Sequence, residues 1–187
     1  ASMLQVADGA LSKIGDTLLR MKSLATQANS DVLSGTERGY LDKEYQQLGE
    51  QINYIATSTK FNDIAMLEGD GISTSSAETT TLTFQVGVQA GTTTTTAGND
   101  EIAVDLNEMT TQALGLMATS DTGPVAQGID TRGNAQTSSG ELDTAIQSVN
   151  EERASLGAYM SRFEKIGENV ASSIENLDAA RSTLMDV

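Results

Sequence analysis

Histidine, cysteine and tryptophan are all absent from these 187 residues, and proline occurs once, at Pro124. Each absence excludes something. Without histidine there is no histidine-ligated metal, no Ser-His-Asp triad and no H-E-x-x-H zinc site. Without cysteine there is neither a disulfide framework nor a cysteine nucleophile. One proline leaves room for long uninterrupted helices, since proline is the main residue that breaks them. Aromatics make up only 4 % of the chain, so a compact core built on Phe and Trp is out of reach. Packing through Leu, Ile, Val, Met and Ala is the expected solution. No glycine-rich phosphate loop occurs, and no pair of carboxylates stands out as an acid/base couple. The chain reads as a non-enzyme with no cofactor and no metal.

No apolar run approaches the roughly 18 residues of a membrane span, and no Sec-type signal opens the chain. The formal charge is −15 and is uneven. Residues 1–61 hold 7 acidic and 6 basic side chains, residues 62–137 hold 10 acidic side chains against Arg132 alone, and residues 138–187 hold 9 acidic and 4 basic. Such a balance disfavours nucleic acid and anionic membrane surfaces as partners.

What is present is heptad periodicity. Leu4, Leu11, Leu18 and Ala25 form one row, and Ala7, Ile14, Met21 and Ala28 a second, which together make one stripe on a helix. Ser34 with Glu37 reads as a capping box that starts a second helix, carrying Leu41, Tyr45, Leu48, Ile52 and Ile55 and ending near Thr57–Thr59. Ser138 and Glu141 read as a second capping box. Behind them Leu142, Val149, Leu156, Phe163, Val170, Leu177 and Leu184 recur at seven-residue steps. A helix over 138–186 is about 73 Å long at 1.5 Å per residue, a length that rods need and few globular domains do. The second row of this helix is interrupted by Arg153, Gly167 and Arg181.

Between the helices the character changes. Residues 73–81 are Thr/Ser-rich loop material, and Asp70 and Asp100 read as turn residues. Leu82, Phe84 and Val86, and then Ile102, Val104 and Leu106, alternate with polar or small residues as the two strands of a hairpin. Val88–Asp100 is its long connection. Asn107 is placed to cap a short helix through Met117, and 120–137 reads as loop with its turn at Gly123-Pro124. The expected fold is therefore mainly α with a small β-hairpin region. It is an elongated antiparallel helical bundle with coiled-coil-like heptads, divided as helices over 1–61, hairpin, short helix and loops over 62–137, and a long helix over 138–187. The intramolecular seam is assigned to Leu4, Leu11, Ile14, Leu18 and Met21 against Leu142, Val149, Leu156, Phe163, Val170, Leu177 and Leu184.

Four stretches resemble bacterial flagellins, in the family's order: "MLQVADGALSKIGDTLLRMKSLATQAN", "INYIATSTKFNDIAML", "LTFQVGVQAGTTTTTAGNDEIAVDL" and "RASLGAYMSRFEKIGENVASSIENLDAARS". The chain departs from the family pattern at Asp63, where glycine is usual, at Ser23, where glutamate is common, and in the final "STLMDV". The resemblance implies a core rod domain, opening abruptly inside a helix and lacking the terminal polymerisation segments. It further implies a self-assembling filament subunit exported by the flagellar type III pathway to the extracellular filament, with an export chaperone and cap proteins as partners. A host Toll-like receptor is an implied ligand-binding partner. The matching positions here are Arg20, Leu24 and Gln27, which share a face outside the heptad rows, and Glu44 on the next helix. A hook–filament junction protein, a surface adhesin and a receptor ligand are the competing readings.

Overall fold

The computed structural model describes residues 2–69, 79–86, 101–120, 123–126 and 128–185, without the side chains of 117–126, 183 and 184. Three helices carry the architecture: α1 (Ser2–Ala28), α2 (Gly35–Ser58) and α3 (Arg132–Met185). Three antiparallel strand pairs lie between α2 and α3 in the chain: β1 (Lys60–Phe61) with β2 (Ile64–Ala65), β3 (Thr79–Gln85) with β4 (Glu101–Asn107), and β5 (Met117–Ser120) with β6 (Gly123–Ala126). At 1.5 Å per residue the 54 residues of α3 span about 81 Å, so this one element sets the length of the molecule.

The apolar stripe of α1 explains its position. Leu4, Ala7, Leu11, Ile14, Leu18, Met21, Leu24, Ala25 and Ala28 are all buried, and they pack against both α2 and α3. Two ion pairs set the antiparallel register of α1 on α3: Arg153 Nε donates to Asp8 Oδ1 at 2.8 Å, and Lys22 pairs with Asp143. The carboxylate of Asp8 raises the pKa of Arg153. Gly15 lies opposite Val149 in the same register, with 3.9 Å from its notional Cβ to the valine Cγ1. Among the described residues, no other segment comes within 4 Å of a Cβ built at Gly9, Gly39, Gly157 or Gly167.

Between α1 and α2 the chain turns through Asn29–Ser34, and both flanking helix ends are satisfied by side chains. The Ser34 hydroxyl accepts from the Glu37 amide, and the Glu37 carboxylate accepts from the Ser34 amide, so the capping box forms. The Ser34 amide, and its hydroxyl as well, donate to the Glu37 carboxylate, which favours the charged form and lowers the Glu37 pKa. The other end is held by Arg38, whose guanidinium donates to the carbonyl oxygens of Ala28 (2.8 Å) and Ser30 (2.7 Å). Carbonyls at a helix C-terminus lack intrahelical donors, and a cation there also opposes the helix dipole. Helix α2 ends at Ser58 with Thr59 as its C-cap, followed by a tight hairpin with Asn62 and Asp63 both at positive φ (51° and 68°).

The β3–β4 hairpin lies where the alternation in the sequence places it, with Leu82 opposite Val104 and Phe84 opposite Ile102. It extends further back than expected, since Thr79–Thr81 belong to β3. The hairpin docks on α3 by an edge-to-face contact of Phe84 with Phe163 (ring centroids 5.2 Å apart) and by Glu152. Only 3 % exposed, Glu152 accepts from the backbone amide and the side-chain amide of Asn107. The Val88–Asp100 connection, Asp70 and Asp100 lie outside the described residues.

Three expectations are corrected. Asn107 does not cap a helix: it ends β4, where its side-chain oxygen, the atom a cap uses, accepts from the Thr79 hydroxyl while its amides donate to Glu152. Instead, residues 110–115 form turns that close at Gly115, in a left-handed conformation (φ 71°), and are pinned to α2 where Asn53 Oδ1 accepts from the Thr111 amide and hydroxyl. Within the expected 120–137 loop, Gly123–Ala126 form β6 paired with β5 (Met117–Ser120), so Gly123-Pro124 lies inside a strand. Helix α3 begins at Arg132 rather than at 138. Thr131 supplies the cap, accepting from the Asn134 amide at 3.2 Å. Ser138 is buried inside the helix and donates to the Gly128 carbonyl.

The segment entering α3 is clasped to α2. Asp42 Oδ1 accepts from the Ile129 amide at 2.7 Å, and a Cβ at Gly128 would lie 2.7 Å from the same oxygen. Gly128→Ala is therefore expected to displace Asp42 and cost about 1–3 kcal/mol, read from urea unfolding; an unchanged midpoint would show that the clasp contributes nothing. At the β1–β2 turn, Asp63→Gly should raise the melting temperature slightly, by about 0.5 kcal/mol equivalent. Two successive positive-φ residues form a turn that favours Asn-Gly.

Candidate interaction surface

Among the described residues no group of acidic side chains is placed to hold a metal ion, and no helix is long and apolar enough to cross a membrane. The cleft beside Glu108, Glu151 and Glu152 is already engaged through the Glu152 clamp on Asn107. What the molecule offers is surface along its helices.

The expected seam residues divide into three groups. Leu4, Leu11, Ile14, Leu18 and Met21 on α1, and Leu142, Val149 and Leu156 on α3, are buried. Phe163 is half-buried beneath Phe84. Beyond it the seam expectation is corrected. Val170 is 42 % and Leu177 69 % exposed, Ile174 is exposed beside them, and the side chain of Leu184 lies outside the described residues. The reason is geometric. Asp8 opposite Arg153 and Lys22 opposite Asp143 bring the start of α1 level with Phe163. An open groove of about 770 Å³ lined by Gln5, Gly157, Met160 and Phe163 marks where the cover ends. From Gly167 onward every described residue of α3 is exposed, so Val170, Ile174 and Leu177 continue the apolar row in solvent.

The second candidate set lies on α1 and α2. Arg20 donates through Nε (2.9 Å) and Nη2 (2.6 Å) to Glu44 Oε1, joining the two helices across an exposed face, and Gln27 is exposed. Leu24 does not belong to that face: it is 2 % exposed and part of the core. The heptad rows describe a helix with one neighbour, but α1 is flanked by α2 as well as α3, so its buried arc is wider.

Other outward-facing apolar side chains lie outside the periodic rows. Leu19 stands exposed at a small groove with Gly15, Ile146 and Arg153, and Tyr40 and Tyr54 are exposed on α2. By contrast Tyr45, on the same helix, is 1 % exposed. Burial is the main cause that pushes its pKa up to about 12, with Glu141 and Asp42 adding to the rise and Ser138 opposing it. The Ser138 hydroxyl itself is turned to the Gly128 carbonyl, and among the described residues no group meets the phenol with good hydrogen-bond geometry.

The comparisons with known proteins follow the same division of the chain. A family profile described as the bacterial flagellin N-terminal helical region matches residues 1–74, and one described as the bacterial flagellin C-terminal helical region matches residues 140–187. The chain is 31 % identical to the flagellar filament 30.7 kDa core protein of Treponema maltophilum over 99 % of its own length and 62 % of that protein. With the flagellin of Halalkalibacterium halodurans it shares 31 % identity over 100 % of its length and 60 % of that protein. The chain thus spans about three fifths of the curated relatives it matches. The crystal structure of Bacillus cereus flagellin superposes with a TM-score of 0.69 at 31 % identity, covering 96 % of this chain and 90 % of that one.

Two expectations test the surface assignment. Leu24→Ala should cost about 2–4 kcal/mol of stability by denaturant unfolding, whereas Arg20→Ala, at an exposed ion pair, should cost no more than about 1 kcal/mol; equal costs would mean the two faces are wrongly divided. For Tyr45 the unfolded phenol titrates near 10 and the folded one near 12, so the unfolded state loses its proton first as pH rises. Its contribution to stability is thus complete below pH 10 and falls away between pH 10 and 12, by about 3 kcal/mol. Tyr45→Phe should abolish that part of the alkaline loss at little cost near neutral pH.

Proposed function

This chain belongs to the bacterial flagellin family, and from that premise we propose that it is the helical rod of a subunit that packs beside copies of itself to build a flagellar filament. The observation that carries the reading is the second half of α3. Its apolar row continues the buried row of the first half, yet Val170, Ile174 and Leu177 stand in solvent. A row of that kind is covered when helices pack in an assembly, and contacts that repeat without closing into a ring give filaments. The role is mechanical, and no cofactor or reaction enters it.

The finer parts of the proposal rest on the family. They are export through the flagellar type III pathway to the exterior, with a chaperone and cap proteins as transient partners. A host Toll-like receptor is proposed to read free subunits at Arg20, Gln27 and Glu44, which the exposed Arg20–Glu44 pair makes reachable. Leu24 is withdrawn from that set because it is buried.

Electron microscopy of the full-length protein tests the central proposal. Wild type should form filaments, and Leu177→Asp or Ile174→Asp should abolish or strongly reduce them. The thermal melt of the 187-residue chain carrying the same changes should stay within about 0.5 kcal/mol of wild type, as for other exposed sites. Normal filaments from both variants would overturn the assignment of the α3 row to assembly.

A further inference from the structure

We draw no further inference here: the strongest candidate, the exposed face of α2 that carries Tyr40 and Tyr54, is an unpartnered surface, and nothing in the structure shows what covers it.

Discussion

The antiparallel packing of α1 on α3 is the contact on which the rest of the molecule depends. Apolar residues at heptad spacing bury one against the other, and burial of each large aliphatic side chain is worth about 1.5–3 kcal/mol. A heptad pattern alone permits slippage by seven residues, because the stripe then meets an equivalent stripe. The Asp8–Arg153 and Lys22–Asp143 pairs break that degeneracy. Being partly exposed, they contribute little stability; their consequence is register. Once register is set, the stretch of α3 that α1 can cover is set too.

The remaining elements attach to this pair through a few buried polar contacts. Glu152 binds the end of β4, Asn53 holds the turn after it, and Asp42 clasps the chain as it enters α3. Each is a side-chain acceptor meeting backbone amides that irregular structure would otherwise leave unpaired, which is costly in a buried setting. This explains how a chain with three two-stranded pairs and so few aromatics holds its irregular middle against helices. Arg38 serves the same end at α1, capping its last carbonyls from the neighbouring helix.

The consequence for function is an asymmetric rod. At one end α3 is packed against α1 and touched by the β-hairpin; at the other it carries the same apolar period with Val170, Ile174 and Leu177 exposed. Under the proposed filament role, the exposed half of that row is the surface available for burial on assembly, while the other half is already buried within the chain. The ion pair of Arg20 with Glu44 ties α1 to α2 on the outside of that compact end, so residues proposed to meet other proteins also hold two helices together.

Whatever depends on neighbours in sequence was legible from the sequence: the stripe of α1, the Ser34–Glu37 capping box, the end of α2 near Thr59, the alternation of β3 and β4, and a long C-terminal helix. These signals are local periodicities and caps, and the physics behind them acts over a few residues. The tertiary structure decided what depends on partners remote in the chain. Leu24 is buried because a second helix flanks α1, Ser138 lies inside a helix because α3 already starts at Arg132 with Thr131 as its cap, and Asn107 cannot cap a helix because Thr79 and Glu152 hold it at the end of β4. Val170 and Leu177 share the heptad row of Leu142 and Leu156, and only the register of α1 determines that one pair is buried and the other meets solvent.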